Sequence, residues 1–288
     1  MLRIAFYLIC CLLLTPLFAF ADPTLLEKVA HTYAIGQKGL DNYQATVTTD
    51  QVGIMITRMT TNMPADAPRP QVPELRKFWS RASGRTVILP TAKTVFPTMS
   101  EMIRYFSREF AIDPGTLVLS ARGASKRAAL LQKAEIKTFE TRIGSDRTIS
   151  ITALFRDAVD VGNAFYTEGL PLPRTNISEL VFDIDPDRNI LRRMEIVATG
   201  TSRLIFQLRH LEIAGNLLPT EVHLTTADGG IDTRLTTEFV NVGGFLVPGK
   251  QVRNVRTPDR NEHMEVTFSN YIINKPLPEL AIQALNGQ

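Results

Sequence analysis

An apolar stretch over residues 4–17, interrupted by Thr15-Pro16, opens the chain and follows a single cationic residue, Arg3. Two small side chains, Ala19 and Ala21, come after the stretch at alternate positions. A basic start, an apolar segment of about 7 to 15 residues and a small-residue exit are typical of a cleavable secretory signal peptide, whereas a membrane-spanning helix needs about 20 apolar residues. We therefore predict that residues 1–21 are a signal peptide, cleaved after Ala21, and that the mature chain is exported.

Two segments have apolar residues at helical spacing. In residues 23–40, Thr24 and Glu27 have capping-box spacing before the first apolar positions. A second capping-box spacing begins residues 97–110, whose apolar stripe consists of Met99, Met102, Ile103, Phe106 and Phe110. A stripe of such flexible side chains can cover a ligand, although it is more often simply core. A third helix is predicted over residues 125–134.

Most of the remaining chain has the pattern of strands. Residues 43–60 are rich in threonine and valine with a period of two, which predicts one strand, or two strands folded at residues 50–53. Residues 75–89 carry Trp79 and a turn at Ser83-Gly84. In the C-terminal half, strands separated by Gly, Asn, Asp and Pro turns are predicted over residues 179–185, 190–199, 203–213, 219–227, 231–240, 250–257 and 263–273. The short connections leave no room for crossover helices, so neighbouring strands are antiparallel and the fold class is α+β.

The centre of this sheet is expected to be apolar on both faces. Leu204, Phe206 and Leu208 alternate on one side of a predicted strand, and Ile205, Leu211 and Ile213 lie largely on the other. An antiparallel sheet with one wet face should instead alternate cleanly between apolar and polar residues. Helices can cover one face, and the second is then either a filled barrel core or an apolar hollow for a ligand.

Composition narrows the class of partner. The net charge is +3, with 32 basic and 29 acidic residues, and this near-balance argues against nucleic acid as a partner. Both cysteines, Cys10 and Cys11, lie inside the predicted signal peptide and too early in it for a lipid-attachment site. We therefore expect a mature chain without disulfides that is not itself a lipoprotein. Residues 62–73 contain four prolines and predict a long loop.

No pattern of catalytic or metal-binding residues stands out. The four histidines are scattered, and no nucleophile elbow or phosphate-binding glycine loop occurs. Asp183, Asp185 and Asp187 alternate as in an oxygen cage for calcium, but their position before Pro186 favours a hairpin turn. We expect no metal, no cofactor and no enzymatic activity, although catalytic residues distant in sequence could still meet in the fold.

Four short motifs resemble the bacterial periplasmic lipoprotein-carrier superfamily, the LolA/LolB-like proteins of outer-membrane lipoprotein sorting. These motifs are LDNYQATV at 40–47, FDID at 182–185, VGGFLVP at 242–248 and VTFSNYIINKPLP at 266–278. The resemblance implies a curved antiparallel sheet that forms an incomplete β-barrel, with helices covering its concave face. It further implies one domain over residues 22–288, with a helical insertion at about residues 97–136, located in the periplasm.

The same resemblance implies a function. Such a protein would be a soluble carrier or receptor that binds lipid or the acylated end of lipoproteins in an apolar pocket, with an inner- or outer-membrane protein as a possible partner. An envelope sensor or scaffold similar to RseB, which binds a protein partner, is the alternative. Size and periodicity select as candidate pocket residues Met99, Met102, Phe106, Phe110, Leu204, Phe206, Leu208, Leu235, Phe239 and Phe268.

Overall fold

The computed structural model describes residues 24–64, 71–91, 117–167, 172–213 and 215–287, together with residues 101, 103 and 110. Its helices are α1 (Thr24–Ile35), α2 (Gln51–Thr60), α3 (Ala124–Leu131) and α4 (Glu279–Asn286), and a 3-10 turn (Ala121–Gly123) precedes α3. Its strands are β1 (Asn42–Thr48), β2 (Leu75–Ser80), β3 (Arg85–Pro90), β4 (Ala134–Ile143), β5 (Asp146–Val159), β6 (Ile177–Asp185), β7 (Ile190–Ala198), β8 (Leu204–Ile213), β9 (Asn216–Thr226), β10 (Asp232–Val242), β11 (Phe245–Thr257) and β12 (Arg260–Ile273).

All twelve described strands form one open sheet in the order β3-β2-β1-β12-β11-β10-β9-β8-β7-β6-β5-β4. Every ladder in it is antiparallel. From β4 to β12, each strand pairs with the next one along the chain, and for β6 to β12 the short turns predicted this order. The α+β class and the open antiparallel sheet are therefore confirmed.

Helix α1 covers the apolar face of this sheet. Leu26 and Val29 are fully buried, and they join the same hydrophobic cluster as Phe182 of β6 and Phe206 of β8. The predicted N-terminal helix is thus confirmed, although it ends at Ile35 rather than near residue 40. Its buried stripe holds the helix against the sheet, because apolar area removed from water stabilises by about 25 cal/mol per Å².

The opposite face of the central strands is charged. Glu195 on β7 forms ion pairs with Arg193 and Arg203, and Arg193 also reaches Asp183 on β6 at 3.3 Å. On β8, Leu211 is 55% exposed. The expectation that both faces of the sheet centre avoid water is therefore wrong. Side chains alternate in the ordinary way, with Leu204, Phe206 and Leu208 buried on the inner face.

Residues 51–60 are a helix, so the strand predicted for the second part of 43–60 is wrong. Val52 and Ile56, four residues apart, are buried on one side of α2. The hydroxyl of Thr57 donates to the carbonyl of Gly53 at 2.9 Å, and the hydroxyl of Thr60 donates to that of Ile56 at 3.0 Å. The β-branched residues that suggested a strand thus bond to the preceding helical turn, and packing of the Val52 face outweighs strand propensity.

The predicted helical insertion ends earlier than residue 136. Helix α3 stops at Leu131, and residues from Ala134 onward form the hairpin of β4 and β5, which the sequence pattern did not reveal. Strand β4 is mostly exposed, including Phe139 at 69% and Ile143 at 77%. A strand with little burial on either face lacks the alternation by which strands are recognised.

Several predictions fall on residues outside the described ranges. These are the signal peptide, the centre of the proline-rich loop (residues 65–70) and most of the helix predicted over 97–110. Of that helix, Ile103 and Phe110 are described, and both are buried in the main core cluster. Within the described residues, none of the helices is both long enough and apolar enough to cross a membrane.

Candidate ligand site

A cavity of about 260 Å³ lies at one end of the sheet; we call it the apolar cavity. It is bounded by the C-terminal end of α1, the turn between β2 and β3, the 3-10 turn and the ends of several strands. Its lining residues in the strands and the β2–β3 turn are Tyr43, Trp79, Arg81, Ala82, Gly84, Ile190, Asn216, Leu217, Leu218, Phe239, Leu246 and Pro248. Most of these side chains are aliphatic or aromatic.

The lining shows that the sheet is curved. Tyr43 in β1 and Ile190 in β7 both face the apolar cavity, yet β1 and β7 are six strand positions apart in the sheet order. Neighbouring strands are about 4.8 Å apart, so a flat sheet would separate β1 from β7 by roughly 29 Å. The sheet must bend around the cavity to bring both strands to its wall.

The chain leaving α1 is fastened to β11 by one side chain. Gly36, with φ +49°, ends the helix in the left-handed conformation that glycine tolerates. The amide of Gln37 then pairs with the main chain of Leu246, donating to its carbonyl at 2.5 Å and accepting from its N–H at 2.6 Å. This two-way pairing fixes the distance between α1 and β11, and both residues line the cavity.

Arg81 fastens the turn between β2 and β3 to the same segment. Its Nε and Nη2 donate to the carbonyl of Leu40 at 2.9 and 2.7 Å, and Nη2 also donates to the carbonyl of Gln37. The carboxylate of Asp41 lies 3.8 Å from Nε. These contacts place the guanidinium in the cavity wall and hold the turn in position.

An aromatic cluster forms the wall beneath this turn. Tyr43 stacks on Trp79 with ring centroids 5.5 Å apart and meets Tyr271 edge-on at 5.4 Å. The hydroxyl of Tyr271 donates to the carbonyl of Pro248. Trp79 is the single tryptophan of the chain, so its emission reports on this wall alone.

The remaining rim of the apolar cavity consists of Ser120, Ala121 and Arg122. The rim is anchored by Arg127, which is fully buried in α3. Its guanidinium binds both carboxylate oxygens of Glu27 in α1, at 2.7 and 2.8 Å, and donates to the carbonyls of Ala164 at 2.7 Å and Ser120 at 3.3 Å.

Tyr33 closes the inner end of the apolar cavity. Its hydroxyl accepts the N–H of Leu191 at 3.1 Å and pairs with His210 Nε2 at 3.1 Å, while the two rings stack. Burial raises the pKa of Tyr33, with the Leu191 N–H opposing it, so the phenol stays protonated. Burial also lowers the pKa of His210 to about 4, with Asp185 opposing this shift, so the imidazole is neutral at pH 7.

Behind this pair lies a second, larger cavity of about 510 Å³, which we call the charged cavity. It lies where the ladder between β7 and β8 stops at Arg193 and Gln207, so that the two strands separate. Its charged lining residues are Arg188, Arg192, Arg193, Arg209, Asp146, Asp183 and Glu221. The two cavities share Ile190 and Leu217 as a common wall.

Most of these charges already have partners. Asp185, beside the charged cavity, accepts Arg192 at 2.8 Å and the N–H groups of Asp187 and Arg188 at 3.1 Å. Burial raises the pKa of Asp185, but these hydrogen bonds and the charge of Arg192 together have the larger, opposite effect. The pKa of Asp185 therefore lies below its usual value. Asp185 therefore serves the turn between β6 and β7, as the sequence indicated. In the part of the chain that the structure describes, no group of three or more His, Cys, Asp and Glu could hold a metal ion.

The structure divides the candidate pocket residues of the sequence analysis. Met99, Met102 and Phe106 lie outside the described residues. Phe239 lines the apolar cavity. The other candidates are packed in the main core cluster, and these are Phe110, Leu204, Phe206, Leu208, Leu235 and Phe268.

The residues that shape the cavity were missed by sequence reasoning, which selected large side chains at regular spacing. Gln37, Arg81 and Arg122 are polar residues of turns and helix ends, so no periodicity distinguishes them. The only available signals were the resemblance motifs at 40–47 and 242–248, which contain Tyr43, Leu246 and Pro248.

No protein-family model and no curated protein matches the chain. Solved structures with a similar fold include a LolA superfamily protein from Nitrosomonas europaea, with 9% identity, 88% of this chain and 96% of that chain covered, and a TM-score of 0.33. A putative outer membrane lipoprotein-sorting protein domain from Vibrio parahaemolyticus matches at 9% identity, with 91% and 97% covered and a TM-score of 0.33. A DUF1329 family protein from Desulfovibrio piger matches at 9% identity, with 90% and 96% covered and a TM-score of 0.32.

The superfamily that the sequence motifs resemble is thus among these structures. Because these TM-scores are low, we base the proposed function on the geometry of the chain itself.

Proposed function

We propose that the protein is a periplasmic carrier or receptor that binds the acyl chain of a lipid, or the acylated end of a lipoprotein, in the apolar cavity. The observation that carries this proposal is the cavity itself, which is lined by Leu40, Tyr43, Leu218, Leu246 and other apolar residues and lies at an end of the sheet. Pockets for small molecules are concave and mostly apolar with a few fixed polar groups, which describes this site.

The volume favours one chain. At about 260 Å³ the cavity is slightly smaller than the range of roughly 300 to 1,000 Å³ for drug-sized ligands. Burial of an acyl chain contributes about 0.8 kcal/mol per methylene, so even part of one chain gives useful affinity before ordering costs. No nucleotide or metal is needed for such binding, and release would depend on the affinity of the next acceptor.

Trp79 makes the proposal directly testable. We expect fatty acids from octanoate to tetradecanoate to change Trp79 emission on titration, because this indole lines the cavity. The dissociation constant should fall roughly fourfold per added methylene until the cavity is full. An emission that ignores all of these ligands would contradict the proposal.

A variant that fills the mouth provides the control. Ala34 is an exposed lining residue at the end of α1, so Ala34→Phe should obstruct entry and weaken binding at least tenfold. Ala128→Phe, on an exposed position of α3 outside the cavity, should leave affinity unchanged. Equal affinities in the two variants would show that the ligand binds elsewhere.

The second candidate function is an envelope sensor or scaffold that binds a protein partner. Strand β4 favours it, because it is the last strand of the sheet order and exposes Phe139 and Ile143. Exposed sheet edges accept an added strand from a partner chain. A photo-crosslinking side chain at position 139 should then give a discrete adduct in cells, whereas the same group at the exposed Ile282 of α4 should not.

A further inference from the structure

The charged residues described in the lining of the apolar cavity are all of one sign. Among its described lining residues are two arginines, Arg81 and Arg122, and no aspartate or glutamate. The charged cavity behind it has carboxylates and guanidinium groups together, largely paired with one another or with neighbouring residues. The described charged residues that line the apolar cavity are therefore positive, which favours an anionic ligand.

Arg122 is the cation available for a ligand. It lies in the exposed 3-10 turn on the rim, and no described residue forms a hydrogen bond or ion pair with its guanidinium. The other exposed lining residues are small, including Ala34, Gly36, Ala82 and Ala121. Among the described residues, the mouth of the cavity is thus an opening between small side chains, with the guanidinium of Arg122 beside it and without a partner.

The position of Arg122 is fixed by its neighbours rather than by a partner of its own. A side chain at Gly123 would come within 2.6 Å of the carbonyl oxygen of Asn163, so the turn lies directly against that backbone. Arg127 donates to the carbonyls of Ser120 and Ala164 on either side of the turn. The backbone that carries Arg122 is therefore held in place before any ligand arrives.

Arg81 has a different role. Its guanidinium is bound to the main-chain carbonyls of Leu40 and Gln37, so it is a positioning residue of the wall. The carboxylate of Asp41, which is mostly exposed, lies 3.8 Å from its Nε. Arg81 adds to the positive potential at the cavity, whereas Arg122 donates no hydrogen bond to any residue that the structure describes.

We propose that the ligand is a single-chain amphiphile with an anionic head group, whose chain occupies the apolar cavity and whose head group is bound by Arg122 at the mouth. The inference rests on the proposed function and adds the class of ligand. A carboxylate and a phosphate monoester share the required chemistry, because both present oxygens that accept paired hydrogen bonds from a guanidinium.

Three ligands with the same chain test the proposal through Trp79 emission at low ionic strength: dodecanoate, dodecyl phosphate and dodecan-1-ol. We expect at least one anionic ligand to bind about fivefold more tightly than the alcohol, which is typical of an exposed ion pair. Arg122→Ala should remove most of this preference without changing the affinity for the alcohol. Arg122→Lys should retain part of it, and added salt should reduce it.

The control is Arg156→Ala, which removes another exposed arginine that lies outside the cavity. Equal binding of all three ligands by the unaltered protein would overturn the head-group inference. Equal effects of Arg122→Ala and Arg156→Ala on binding would overturn it too. In both cases, binding of the alcohol would still support the proposed function. Failure of all three ligands to bind would overturn both. A preference for only one of the two anions supports the inference and identifies the head group.

Discussion

The two cavities lie on either side of Tyr33 and His210, and they differ in volume and in the charge of their lining residues. The apolar cavity measures about 260 Å³ and the charged cavity about 510 Å³, and Ile190 and Leu217 belong to both. The apolar cavity is lined mostly by buried and half-buried side chains. The charged cavity lies where β7 and β8 separate, so it is reached by charged side chains of the outer face, such as Arg193 and Asp183.

We therefore assign the ligand to the smaller cavity because of the state of its lining residues, not because of its volume. Filling the charged cavity would require a ligand to displace or match existing ion pairs, such as that between Arg192 and Asp185 at 2.8 Å. Filling the apolar cavity removes apolar surface from water without breaking any such pair. Substitutions in the wall between the two cavities and at the rim of the apolar cavity therefore test this difference between the cavities.

The largest expected effect is at the rim. Arg127→Ala should lower the free energy of unfolding by about 3 kcal/mol, because it removes a fully buried guanidinium and leaves the carbonyl of Ala164 without this donor. Urea unfolding measures the change, and Lys126→Ala, which removes an exposed pair with Asp160, should cost less than about 1 kcal/mol. A variant at position 127 that unfolds like the control would show that the rim is not anchored there.

The wall between the cavities should give a smaller, pH-dependent effect. The pKa of His210 is lowered to about 4 by burial, below its unfolded value of about 6.5, so the unfolded chain binds more protons between these values. The stabilising effect of neutral His210 is therefore present above pH 6.5 and is lost as the pH falls towards 4. We expect His210 to account for a loss of about 2 kcal/mol between pH 7 and pH 5.

Urea unfolding at both pH values measures this loss. In His210→Gln, which keeps a polar partner for the Tyr33 hydroxyl, the difference between the two pH values should shrink by the same amount. An unchanged pH dependence in the variant would mean that His210 is not sheltered between the cavities.

The smallest effect should come from the charged cavity. Arg209 lines it, but its guanidinium has no hydrogen bond or ion pair with a described residue. Arg209→Ala should change the free energy of unfolding by less than about 0.5 kcal/mol and leave the affinity for dodecanoate unaltered. A loss of ligand affinity comparable to that of Arg122→Ala would reverse the assignment of the two cavities.

The sequence was most informative where local chemistry decides the structure. The helix beginning at Thr24 and the turns of the C-terminal hairpins follow from capping residues, from glycine and aspartate in turns and from periodic apolar positions. Residues 51–60 show the limit of this reasoning, because their strand propensity was outweighed by the burial of Val52 and Ile56.

The candidate site shows the same limit more strongly. Phe206 and Leu208 were selected because they are large and alternate, and the structure places both in the packed core. Arg122 and Gln37 border the cavity, but each lies in an irregular segment where spacing carries no information. Only the bend of the sheet brings these segments next to Trp79.

By itself, then, the sequence determined the fold class, the antiparallel order from β6 to β12 and the position of α1. Only the tertiary structure decided which face of the sheet is wet, where the sheet splits and which residues enclose a cavity. The physical reason is the separation along the sequence over which each effect acts. Capping, turn chemistry and periodicity act over a few residues, whereas a cavity depends on contacts such as that between Gln37 and Leu246, which are 209 positions apart.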